Sequence, residues 1–112
     1  MSLLLSNCQI VNENQQFEAD ILIKNGRIEK IAPQISATQA QKVLDLEGKI
    51  VLPGVIDDQV HFREPGLTHN ATIYSEAKAA VAGGVTSFME MPNTIPNTLT
   101  QDLLSDKYAI GA

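Results

Sequence analysis

Pro53-Gly54-Val55-Ile56-Asp57-Asp58-Gln59-Val60-His61-Phe62-Arg63-Glu64-Pro65-Gly66 is the stretch that decides how this chain is read. Val55–Phe62 reads as a strand, and Arg63-Glu64-Pro65-Gly66 as the turn that ends it. In a strand that stays regular to its end, Asp57, Gln59, His61 and Arg63 point one way, and Ile56, Val60 and Phe62 the other. Strands in a parallel sheet are normally apolar on both faces, so Asp57-Asp58-Gln59 is an odd interior. Polar groups gathered at the C-terminal end of a barrel strand mark an active-site side. The same spacing also suits an edge strand with one solvated face, and spacing alone leaves both readings open.

Downstream, Thr72 can cap a helix starting near Ile73, with Ile73, Ala77, Ala80 and Val81 as its apolar stripe. Gly83-Gly84 stops it, and Val85–Met91 reads as a second strand ended by Pro92-Asn93. Thr100 can cap a further helix with Leu103, Leu104 and Tyr108 on its apolar side. Strand, helix, strand, helix implies a βαβ unit and a parallel sheet. In such a unit Asn93, at the end of the second strand, can converge on Arg63, although Asn after Pro is also plain turn chemistry. His69 reads as solvated, and Asn70-Ala71-Thr72 as a cap rather than a glycosylation site. Gly83-Gly84 follows a helix instead of opening one, so it is no phosphate loop.

Upstream the texture is all strand. Phe17, Ala19, Ile21 and Ile23 share one period-2 face, with Leu22 breaking the alternation. Asn25-Gly26 supplies the left-handed pair of a type I′ turn, so Phe17–Ile31 reads as a hairpin. Leu3–Val11 is a further strand, with Cys8 as filler. Gln34–Gln41 reads as a polar surface loop. Lys42–Leu46 and Lys49–Leu52 flank Glu47-Gly48 as strand–turn–strand. Together these suggest part of a small antiparallel sheet or sandwich.

Composition excludes several classes. With 44% hydrophobic and 19% charged residues over 112, the chain is neither disordered nor a coiled coil. A formal charge of −5 disfavours nucleic acid and acidic membranes as partners. No apolar run approaches the roughly 20 residues of a membrane span. Met1-Ser2-Leu3-Leu4-Leu5 lacks the basic start and long apolar core of a signal peptide. A single cysteine rules out an internal disulfide framework and fits a reducing, cytoplasmic setting.

The stretch Pro53–Gly66 resembles the signature of the cyclic amidohydrolases, most closely the dihydroorotase family. The likeness continues through Ala79-Ala80-Val81-Ala82-Gly83-Gly84-Val85-Thr86 and Met91-Pro92-Asn93-Thr94, covering nearly all of Val51–Thr98. It implies an α/β fold: the start of a metal-dependent (β/α)₈ TIM barrel, preceded by a small β-sandwich segment. Residues 1–52 would form that segment and residues 53–112 the first two β/α units. Two histidines at i and i+2 on a strand can grip one Zn²⁺, and the family's first-strand motif is His-x-His. His61 matches the second histidine. Gln59 stands in place of the first, and its neutral amide is a poor zinc ligand. Asp57 would be a supporting acceptor behind the metal. The resemblance gives Arg63 and Asn93 the substrate carboxylate, a planar guanidinium pairing both oxygens at once.

The implied reaction is reversible hydrolysis of dihydroorotate to N-carbamoyl-L-aspartate, a step of pyrimidine biosynthesis, with one or two Zn²⁺ ions. The proton-shuttling Asp and the other metal ligands belong to later barrel strands. A barrel needs about 250 residues, so the chain is expected to be an N-terminal portion, inactive alone and without a catalytic base. Because of Gln59, the alternative is a non-catalytic structural partner of aspartate carbamoyltransferase. An allantoinase or hydantoinase relative and an independent small binding module are further readings. Homo-oligomers are a possible assembly.

Overall fold

A computed structural model describes all of residues 1–112, which divide into two compact units, Met1–Pro53 and Gly54–Ala112. The first unit is one five-stranded mixed sheet built from β1 (Ser2–Asn12), β2 (Gln15–Lys24), β3 (Arg27–Ala32), β4 (Lys42–Asp45) and β5 (Ile50–Val51). Its order is β3-β2-β1-β4, with β5 also on β1. Asn25 and Gly26 take φ of 50° and 74° between β2 and β3, as the predicted type I′ turn requires. A second tight turn joins β1 to β2 through Glu13 and Asn14, also both left-handed.

The expected antiparallel sheet is corrected here. β4 and β5 both run parallel to β1, and they pair with β1 rather than with each other. The reason lies in β1. Between Leu5 and Cys8 its register on β2 shifts at a bulge, where Asn7 adopts φ 54°. Glu47-Gly48 therefore closes no hairpin. It carries the chain past the bulge, with Leu46 N–H donating to Ser6 O (2.9 Å) and Gly48 N–H to Asn7 O (2.8 Å).

The sheet buries residues on both faces, which explains Leu22. Cys8, Ile10, Ala19 and Ile21 form one cluster, while Leu4, Leu22 and Ile35 form another. Ile35 lies in the segment read from sequence as a polar loop; it is buried and covers the second cluster. Cys8 is 1% exposed, and burial, then the nearby Asp20 and Asp45 charges, push its thiol pKa up. The thiol is thus an inert filler.

Asp45 accepts from the Asn7 side-chain amide (2.8 Å) and the Glu47 N–H (2.9 Å), and these bonds, Asn7 first, hold its carboxyl below the usual range. Its folded pKa lies below its unfolded value. Its stabilising contribution is therefore complete above the unfolded value and is lost as pH falls through the folded one. Asp45→Asn is expected to flatten the decline of the urea midpoint below about pH 4, where the wild type loses this contribution. Parallel midpoint–pH curves for the two proteins would contradict it.

The second unit is β6 (Val55–Val60), α1 (Ile73–Ala82), β7 (Val85–Glu90) and α2 (Gln101–Gly111), with β6 parallel to β7. Thr72 accepts from Ser75 N–H and Ser75 bonds back, a capping box at the predicted start of α1. Thr100 caps α2 by accepting from Leu103 N–H (3.3 Å). A Cβ on Gly54 would overlap the Thr86 side chain, so only glycine lets the chain enter β6 this close to β7.

Two helix faces differ from expectation. Val81 is 65% exposed, so the covered stripe of α1 is Ile73, Ala77 and Ala80. On α2, Tyr108 is 75% exposed and the buried residue is Lys107. An ion pair, described below, draws that lysine inward. No helix is long and apolar enough to cross a membrane.

Candidate functional site

The predicted strand parity fails at a particular place. β6 pairs Asp57 with Phe88 and Val60 with Glu90, so β6 spends one more residue than β7 over this interval. The extra residue is accommodated by a bulge in which Gln59 N–H donates to Asp57 Oδ1 (3.1 Å). The irregularity separates Asp57 from His61, whereas Gln59 and His61 are both exposed and alternate with buried Val60 and Phe62. The strand ends at Val60 rather than Phe62, and β7 ends at Glu90 rather than Met91. Alternation resumes briefly beyond the bulge. Val60 and Phe62 are buried, with the Phe62 ring against Phe88 at a centroid distance of 4.6 Å, and His61 between them is exposed.

Arg63 then leaves the extended backbone with φ 69°, an uncommon angle for a residue with a Cβ. A turn rather than strand parity aims its half-buried side chain, and Leu67 N–H closes that turn on Arg63 O (3.1 Å). Its guanidinium makes no salt bridge within the chain. Glu64 Oε2 accepts from Ile73 N–H (2.8 Å), tying the same turn to the first residue of α1. Gly66 takes φ 86°, and a Cβ there would overlap Ile95 O. Ile95 N–H in turn donates to Pro65 O (3.0 Å). The Arg63–Gly66 turn and the Pro92–Pro96 turn are thus packed backbone to backbone. Thr94, 1% exposed, braces the second turn by donating from Oγ1 to Pro96 O (2.9 Å).

This packing brings two of the sequence-predicted residues together. His61 Nδ1 and Asn93 Oδ1 lie 2.9 Å apart, across 32 residues of chain. An amide oxygen only accepts, and in the neutral tautomer that donates to it from Nδ1 the lone pair is on Nε2. That is the state of an imidazole able to donate Nε2 to a cation. The chain supplies no more than this toward a metal: no three His, Cys, Asp or Glu side chains gather in reach of one ion. Gln59 adds only a neutral amide, and Asp57 is engaged by the bulge. The ligand set for the expected Zn²⁺ is incomplete in these residues. His69 is exposed, in line with the sequence reading.

Sequence reasoning missed Glu90 and Lys107. Both side chains are buried and form an ion pair. Glu90 Oε1 accepts from Phe62 N–H (3.1 Å), and Lys107 Nζ donates to Met91 O (3.1 Å). Burial pushes the Lys107 pKa down. One signal was present in the sequence: a carboxylate closing an apolar parallel strand, and a lysine within the apolar stripe begun by Leu103 and Leu104.

The family described as "Dihydro-orotase-like" matches residues 48–105. A dihydroorotase of Lactococcus lactis subsp. lactis is 44% identical over 112 residues, covering 98% of this chain and 26% of that protein. A dihydroorotase of Sulfurihydrogenibium sp. is 48% identical over 98 residues, covering 84% of this chain and 23% of that one. Among solved structures, the L-hydantoinase (dihydropyrimidinase) of Arthrobacter aurescens superposes with a TM-score of 0.90 at 34% identity, over 97% of this chain and 24% of its own. The chain spans about a quarter of the length of these relatives.

Proposed function

The chain belongs to the dihydro-orotase-like family, and from that premise we propose that it forms the substrate-anion side of an enzyme that hydrolyses the cyclic amide of dihydroorotate to N-carbamoyl-L-aspartate. The observation that carries this reading is the 2.9 Å bond between His61 and Asn93, which joins the two family motifs beside an arginine without a salt-bridge partner. In this proposal Arg63 pairs both oxygens of the ring carboxylate, and Asn93 donates its side-chain N–H₂ to the same group while its oxygen holds His61. Binding the anion at this fixed point orients the ring so that its amide carbonyl presents one face to water. Hydrolysis breaks the ring C–N bond, with the water oxygen ending on the carbonyl carbon and a proton on the leaving nitrogen. No residue of this chain is assigned the proton shuttle.

The metal of the family is Zn²⁺ by resemblance, and His61 Nε2 is the one imidazole ligand this chain offers it. We further propose that unit Gly54–Ala112 begins a (β/α)₈ barrel, that the Met1–Pro53 sheet is one layer of a composite sandwich, and that the enzyme is cytoplasmic. The test is a comparison of substrates. Dihydroorotate is expected to be turned over at least a hundredfold better than 5,6-dihydrouracil, the same ring without a carboxylate. A preference for dihydrouracil would move the assignment to the hydantoinase side, which the Arthrobacter likeness favours. Gln59 supports a second reading, in which neither ring is hydrolysed and the protein associates with aspartate carbamoyltransferase.

A further inference from the structure

We propose that the buried Glu90–Lys107 pair is a positioning clamp that holds the backbones of the two site motifs in register, so that His61 and Asn93 meet; this rests on the reading of those residues as a site. β6 and β7 end together, with Met91 N–H donating to Val60 O (2.9 Å). Beyond that point the chain at His61 turns away, and the Phe62 amide meets no main-chain acceptor on β7. The Glu90 carboxylate takes over: Oε1 accepts from Phe62 N–H (3.1 Å), midway between His61 and Arg63. Its other oxygen faces the Lys107 ammonium and has no other polar partner.

Lys107 completes the device from α2. Nζ donates to Met91 O (3.1 Å), two residues before Asn93. One limb of the pair thus fixes the segment carrying His61 and Arg63, and the other fixes the segment carrying Asn93. Buried ion pairs contribute little net stability compared with apolar residues of similar shape. What distinguishes this pair is where its outer hydrogen bonds go, to Phe62 N–H and Met91 O. The polar contacts of the pair go to each other, to Phe62 N–H and to Met91 O, so both are positioning residues.

The test uses the full-length protein labelled with ¹⁵N-phenylalanine and ¹⁵N-histidine, and needs no substrate. In the wild type the Phe62 amide is expected to be protected from hydrogen exchange as strongly as a ladder amide, and His61 Nδ1 to show the resonance of a protonated, hydrogen-bonded ring nitrogen. The paired substitution E90L/K107L removes both charges and both outer bonds. It should leave a cooperatively folded protein in which Phe62 exchanges at least tenfold faster and the His61 resonance moves toward that of a free imidazole. E90Q/K107M keeps a carbonyl acceptor for Phe62 and should restore that amide's protection.

If E90L/K107L is folded and both signals are unchanged, the pair is merely structural and the clamp is refuted. Should that variant not fold, the wild-type measurement decides: an unprotected Phe62 amide refutes the clamp. A wild type that shows both signals yet does not bind dihydroorotate refutes the functional reading and leaves the clamp standing.

Discussion

In a full-length enzyme of the proposed function, Arg63→Met is expected to weaken binding of dihydroorotate by about two to three orders of magnitude, the cost typical of removing one partner from a desolvated charge pair. The side chain is half-buried and its guanidinium forms no salt bridge within the chain, so its charge is available to an anion. Methionine keeps the Cβ and an unbranched stem, so the backbone at φ 69° is as costly for the variant as for the wild type. Melting temperature should therefore change little. The deficit should appear in the dissociation constant or KM for dihydroorotate and be absent for 5,6-dihydrouracil, which has no carboxylate to lose. Arg63→Lys should recover only part of the affinity, since an ammonium does not form the two parallel bonds of the planar fork. Equal losses for both rings, or none for either, would show that Arg63 does not read the carboxylate.

The second large effect concerns the first unit. Asp20 is 7% exposed, and its two oxygens accept from Asn7 N–H (2.9 Å) and Ile35 N–H (2.8 Å). The first donor is the amide at the β1 bulge; the second belongs to the residue that covers Leu4 and Leu22. One carboxylate thus satisfies the irregular point of the central strand and anchors the segment that closes one face of the sheet. Asp20→Ala leaves both amides without an acceptor, each costing about 1–3 kcal/mol. A loss of about 3–5 kcal/mol in unfolding free energy is expected, enough to threaten a unit of this size. Asp20→Asn should fall between, because its NH₂ faces one of the two donors while its oxygen serves the other. Urea denaturation with an unchanged slope is the measurement. A change below about 1 kcal/mol for the alanine variant would mean that water replaces the carboxylate.

Much of this molecule was readable as one-dimensional pattern. Asn25-Gly26 fixed a turn, Thr72 and Thr100 fixed helix starts, and the alternation of strand, helix, strand, helix fixed a parallel β6–β7 pair. Each of these rests on interactions within a few residues, which sequence spacing expresses directly. The site motifs were legible too, since His61, Arg63 and Asn93 stand in two long conspicuous runs.

Tertiary structure decided the rest, for one physical reason: partners distant in the chain set it. Whether β4 and β5 run parallel to β1 depends on a bulge at Asn7 and on the acceptors it offers to Leu46 and Gly48. Whether Asp57 stays in step with His61 depends on the length of β6 measured against β7, and one extra residue between Asp57 and Val60 breaks the regular pairing that spacing had suggested. Lys107, in a stripe that read as apolar, is buried because Glu90 and the Met91 carbonyl wait for it there. His61 meets Asn93 at 2.9 Å beside two turns packed together at Gly66 and Ile95, a close approach that only a backbone without a Cβ allows.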